Sequence, residues 1–125
     1  MSVNSLALLP RTEYGVPNGN YDGSSTDFYG DPVKGSGYYQ GRAGVQTLRW
    51  TLDGATVYVT VEATLDSDPA TARWFEIAAY GDPAGGDSST ITNTYYQTIQ
   101  GNFVWLRASV TNFQDGIIQT VNVTY

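Results

Sequence analysis

Apolar and polar residues alternate along most of the chain, and the alternation predicts strands. Residues 45–52 place Leu48, Trp50 and Leu52 on one face and Thr47, Arg49 and Thr51 on the other, the two-residue period of a half-buried strand. Residues 55–65 alternate more cleanly, with Val57, Val59, Val61, Ala63 and Leu65 opposed to Tyr58, Thr60, Glu62 and Thr64. Asp53-Gly54 lies between the two segments. That dipeptide favours a tight two-residue turn, so the segments are predicted to pair as a hairpin.

The same period returns after the Asp66-Ser67-Asp68-Pro69 break, with Phe75, Ile77 and Ala79 opposed to Trp74, Glu76 and Ala78. A Gly- and Asp-rich loop from Gly81 to Asp87 precedes a polar strand over residues 90–99 that carries Tyr95 and Tyr96. Residues 103–110 set Val104, Leu106, Ala108 and Val110 against Trp105, Arg107 and Ser109, and Asp115-Gly116 is predicted to turn the chain into a last strand ending at Tyr125. No segment of helical length has a 3.6-residue period. About seven short strands with Gly/Asp turns predict an all-β, antiparallel β-sandwich of jelly-roll type. Its core is expected to hold Trp50, Val59, Val61, Phe75, Ile77, Leu106 and Val121.

Residues 1–31 break the pattern and are expected to form an extended N-terminal arm, with residues 32–125 as the sandwich domain. The arm is rich in Gly, Asn, Asp and Ser, with turns at Pro17-Asn18-Gly19, Asp22-Gly23 and Asp31-Pro32. It also carries Tyr14, Tyr21, Phe28 and Tyr29, too many rings for a solvated linker. Either they pack over the edge of the same sandwich, or the arm orders on a partner. The second reading makes Leu6, Leu8, Leu9, Tyr14, Tyr21, Phe28 and Tyr29 the candidate partner-binding residues.

Composition narrows the chemistry. Length fits one domain of 125 residues, and neither Cys nor His occurs. The fold therefore has no disulfide, and the commonest general base and zinc ligand are missing. A formal charge of −6, with a single lysine at Lys34, leaves no basic stripe for a nucleic acid. No apolar run is long enough to span a bilayer, and the short Leu6-Ala7-Leu8-Leu9 run lacks a basic flank, so neither a membrane span nor a secretion signal is expected.

Candidate reactive groups are sparse. Asp66 with Asp68, and Asp82 with Asp87, could be read as paired carboxylates for sugar hydrolysis, and Asp66/Asp68 as hard-oxygen ligands for calcium. Aspartates in such turns more simply cap local backbone, and that reading is preferred. A serine nucleophile would have only Lys34 as its base. Gly35-Ser36-Gly37 lacks the Gly-Lys-Ser/Thr of a phosphate loop, and Asn122-Val123-Thr124 is a glycosylation sequon placed inside a strand. Arg107 beside Trp105 is the best candidate for a buried or interfacial bidentate pair. No catalytic residue, metal or cofactor is therefore expected.

Three stretches carry a family resemblance. Residues Pro32 to Tyr39, the block from Val59 to Pro69 followed by Trp74-Phe75-Glu76-Ile77, and the block from Gly101 to Val110 resemble a β-sandwich domain of virion structural proteins in tailed phages, notably those of marine cyanobacteria. The likeness covers residues 32–125. A weaker one, in the closing W-x-R and V-x-V-x-Y strands, is to discoidin-type and carbohydrate-binding sandwiches. The resemblance implies a non-enzymatic virion component, foremost a capsid decoration or cement protein on the head surface. Its expected partner is the major capsid protein or another virion protein. Edge strands with few charges, such as residues 90–99, also predict association with further copies of itself, with a homotrimer favoured over a dimer. The alternative is a receptor- or glycan-binding module of a tail fibre.

Overall fold

The computed structural model describes residues 5–39, 44–81 and 90–125. Among them are eight strands: β1 (Ser5–Leu9), β2 (Thr12–Glu13), β3 (Phe28–Tyr29), β4 (Val33–Lys34), β5 (Val45–Thr64), β6 (Phe75–Gly81), β7 (Ile91–Gln100) and β8 (Trp105–Thr124). A 3₁₀ turn spans Ser36–Tyr39. The fold is all-β and every strand pair is antiparallel.

Two strands of 20 residues, β5 and β8, form the spine and pair along their whole length. Straight strands of this length would be roughly 65 Å long. Yet the two ends of the ladder touch. Ser36, just beyond the strand that pairs with Trp105 and Leu106, donates its hydroxyl to Gln46 Oε1 at 2.8 Å near the start of β5. At the end of β8, the Tyr125 hydroxyl donates to the Lys34 carbonyl at 2.6 Å. The ladder must therefore fold over on itself, and the apolar residues are enclosed between its halves.

The fold line lies at Gly54 and Gly116, both at positive φ, with register shifts on either side. Inward-facing residues on β5 change parity there, from Leu48, Trp50 and Leu52 to Ala55, Val57, Val59, Val61 and Ala63. An extra residue at a bulge keeps the apolar face inward as the strand turns the corner. The two predicted Asp-Gly turns are thus corrected. Asp53-Gly54 and Asp115-Gly116 do not close hairpins; they lie opposite each other in one ladder and bend two continuous strands together.

Strand β7 pairs with the first half of β5 and β6 with the second. On the far side of β8, the segments β1, β2, β3 and β4 line up one after another. The boundary expected at residue 31 does not show in the pairing: β1, β2 and β3 on one side of it and β4 on the other form one outer row of the same sheet. Leu8, Leu9, Tyr21 and Phe28 are buried in the common core, where Tyr21 packs its ring 5.0 Å from Phe28 and 5.2 Å from Phe113. Beside this cluster Asn112 adopts a positive φ of 54°, and its N–H donates to Asp27 Oδ1 at 3.2 Å.

Trp50, Val59, Val61, Leu106 and Val121 are buried as expected, and Ile77 packs against the core from a half-buried position. Phe75 is a correction, being 42% exposed. It opens β6 at the sheet edge opposite Ala63, with its ring 6.0 Å from that of Phe103. Leu65, just beyond β5, is likewise exposed. Of the Gly81-to-Asp87 loop, Gly81 closes β6 and the remainder lies outside the described residues.

Candidate binding face

Three strands carry the same five-residue pattern, a threonine at each end and a large polar residue between. These are Thr47-Leu48-Arg49-Trp50-Thr51 in β5, Thr94-Tyr95-Tyr96-Gln97-Thr98 in β7, and Thr120-Val121-Asn122-Val123-Thr124 in β8. In each, the first, third and fifth residues share one face because side chains alternate along a strand. The ladder register then aligns the three patterns. Arg49 stands opposite Tyr96 on one side and Asn122 on the other, and Asn122 in turn opposite Ala7 of β1. One flanking row joins Thr94, Thr51 and Thr120; the other joins Thr98, Thr47, Thr124 and Ser5.

The result is a hydroxyl-covered sheet face, turned away from the core, with a Tyr-Arg-Asn line across its middle. A recess of about 330 Å³ opens on it between β1 and β7, at the lower end of the size of small-molecule sites. Its walls come from paired strands, so their spacing is set by the backbone ladder. Arg49 is fixed by Nη2 donating to Asn122 Oδ1 at 3.1 Å, and Asn122 is fixed by the Thr120 hydroxyl at 2.9 Å. Thr47 and Thr98 share a hydroxyl–hydroxyl bond of 3.1 Å. No aspartate or glutamate stands in these rows, although the chain has 12 acidic residues. Among the described residues Arg49 has no carboxylate partner. Tyr96 leaves 69% of its surface exposed.

This face was missed by the sequence reading, which gave Thr47, Arg49 and Thr51 only the role of an outward strand face. The threefold Thr-x-x-x-Thr pattern was the available signal.

The predicted partner-binding set is scattered. Leu8, Leu9, Tyr21 and Phe28 are buried within the chain's own core and cannot reach a partner, and Leu6 packs partly buried against that core. Tyr14 is 44% exposed and sets its ring edge-on to Phe113 at 5.6 Å, near the fold line. Tyr29 is also exposed, but its ring covers the Arg107 guanidinium at 4.1 Å. Arg107 lies against Trp74 as well, at 4.3 Å, and pairs through Nε with Glu62 Oε1 at 2.7 Å. Glu62 and Arg107 are register partners across the spine, so in place of the bidentate pair expected of Arg107 there is an intramolecular, half-buried cross-strand bridge through Nε.

The other candidates have structural partners. Asp66 Oδ2 accepts from the Arg73 N–H at 2.8 Å and Asp68 Oδ1 from the Ala70 N–H at 3.0 Å, as turn caps do. Ser36 is buried with its hydroxyl committed to Gln46, and Lys34 Nζ lies 4.5 Å from the Tyr38 ring centre. Asp82 and Asp87 lie outside the described residues. Among the described residues no three His, Cys, Asp or Glu side chains gather in a way that could hold a metal ion. No helix there is long and apolar enough to cross a membrane. No family model matches the chain, and no curated protein matches it in sequence.

Proposed function

We propose that this chain is a non-enzymatic structural component of a tailed-phage virion, foremost a decoration protein that sits on the head surface in contact with the major capsid protein and with copies of itself. The resemblance of residues 32–125 to phage virion domains supports this reading. The observation that carries it is β7. Ile91–Gln100 contains no charged residue and no proline, and among the described residues only β5 pairs with it. An uncharged, ten-residue free edge invites pairing with another chain unless a neighbour covers it. Repetitive assembly supplies that neighbour.

The opposite edge is made of β1 to β4, short segments rather than one long strand. Seating β7 of one copy against β1 of the next is a head-to-tail contact, and three such contacts can close a ring. A homotrimer is accordingly the favoured state. Cryo-EM of purified virions tests the reading: density on capsid hexamers is expected, and density confined to the tail tip would overturn it. The second reading, a receptor-binding module of a tail fibre, is favoured by the recess around Arg49 and Tyr96, and the same images distinguish it.

A further inference from the structure

We infer that the face formed by β1, β8, β5 and β7 is a binding site for acidic sugars, with a uronic acid residue of a polysaccharide seated over Arg49. The inference goes beyond the assembly role and holds for a head or a tail location alike.

Charge selects the anion. The chain is acidic overall, at −6, and yet these rows hold no aspartate or glutamate and place one guanidinium at their centre; Asp53, two residues beyond Thr51 in β5, lies outside them. A guanidinium matches a carboxylate as a planar, two-pronged donor. Arg49 commits Nη2 to Asn122 and meets no protein acid among the described residues. Rows without a carboxylate of the chain's own leave that guanidinium to an external one.

Hydroxyls and the aromatic ring select a sugar over other acids. Threonines in both flanking rows offer hydroxyls that donate and accept, the same dual character that a pyranose presents around its rim. Asn122 uses Oδ1 for Arg49 and Thr120, and its amide nitrogen has no described partner. Tyr96, the next residue along the line from Arg49, presents an open ring on which the apolar face of a pyranose can stack. Ala7 ends the line with a single methyl group, which keeps that side of the recess low and lets a polymer run across the strands. An apolar pocket that could seat a peptide side chain is not part of these rows.

The test uses the full chain and oligomers of galacturonate and of mannuronate, titrated by calorimetry and by amide NMR. Saturable binding of at least one is expected, with shifts confined to residues 47–51, 94–98 and 120–124 and to β1. The neutral oligosaccharide of equal length should bind at least ~10-fold more weakly, as expected when a charge-assisted pair is lost. Arg49→Gln should remove that difference, and Tyr96→Ala should weaken acidic and neutral sugars alike, while Tyr96→Phe retains binding. Both side chains are on the surface, and melting curves of the variants check that the fold is kept. Three results would overturn the assignment: equal affinity for neutral and acidic sugars, equal affinity for an oligoglutamate peptide, or no saturation by either uronate at millimolar concentration.

Discussion

Gly54 and Gly116 meet backbone to backbone across the β5–β8 ladder, with φ of +59° and +82°, and a Cβ on Gly116 would collide with the Gly54 carbonyl. A Cβ on Gly54 itself would meet open space. The pair is therefore asymmetric. Gly54→Ala should cost only the left-handed backbone penalty, about 1–2 kcal/mol. Gly116→Ala adds a clash with main chain and should cost about 3 kcal/mol or more. Urea melts of the two variants check this; equal costs would show that the backbones do not approach so closely at the fold line.

That pair also shows where sequence reading stops. Alternation in residues 45–52 and 55–65 is a local property, so strand character and the inward faces of Trp50, Val59 and Val61 were legible. Whether Asp-Gly closes a hairpin or bends a strand depends on what lies opposite, and here the opposite residue belongs to a second Asp-Gly some 60 positions away. Strand segments of only two residues, such as β2 and β3, have no period to detect, and this made residues 1–31 resemble a free arm. The binding face was half visible: the repeated Thr-x-x-x-Thr pattern is in the sequence, but only the ladder register brings Arg49, Tyr96 and Asn122 into one line.

Removing residues 1–30 should unfold the domain. The deletion strips the outer edge of β8 of β1, β2 and β3 and takes Leu8, Leu9, Tyr21 and Phe28 from the core. Each buried side chain of this size contributes about 1.5–3 kcal/mol, against a total stability of about 5–15 kcal/mol for a domain. Loss of dispersed amide NMR signals is the expected readout. A truncated chain with a native-like spectrum would return residues 1–31 to the status of a separate arm.

Burial ranks two apolar truncations against the order that residue size suggests. Phe75 is the larger side chain but stands half in solvent at the edge of β6, whereas Leu106 is wholly enclosed beside Ala63. Leu106→Ala should cost about 2–5 kcal/mol, the range for a core cavity. Phe75→Ala should cost about 1 kcal/mol, from partial burial and the loss of its contact with Phe103. Denaturant midpoints with unchanged slopes would confirm the order, and a larger loss at Phe75 would place that ring inside.

Asp22 should titrate far below an ordinary aspartate. Its carboxylate accepts from the Ser24 N–H, then the Ser25 N–H and the Ser25 hydroxyl, and these bonds lower its pKa from 3.8 to about 2. The bonds favour the charged form, so the unfolded chain binds the proton more readily than the folded one. The stabilisation they bring is complete above pH 4 and fades as the pH falls towards 2. NMR titration of the Asp22 carboxyl carbon should give a midpoint near 2, and Asp22→Asn should flatten that part of the acid-stability curve. An ordinary midpoint would mean that the Asp22-to-Ser25 turn does not persist in solution.

A single charge on β7 should separate association from folding. If copies join through this edge, the wild-type chain is an oligomer in sedimentation at micromolar concentration, and the contact consists of main-chain bonds along the free side of the strand. Gln97 is a suitable position because its register partner Leu48 faces the core, and it lies outside the Tyr96-Arg49-Asn122 line. An inward-pointing lysine on an edge strand is a device by which sheets avoid unwanted pairing. Its charge must reach solvent past the strand edge, which a docked neighbour would block at the cost of desolvating an ammonium group. Gln97→Lys is therefore expected to sediment as a monomer while keeping a cooperative melt and uronate binding. An oligomer that survives the substitution would move the contact to the β1–β4 edge or to β6. A wild-type chain that is monomeric alone and also single on the particle would remove self-association from the proposal and leave the capsid as the partner that covers β7.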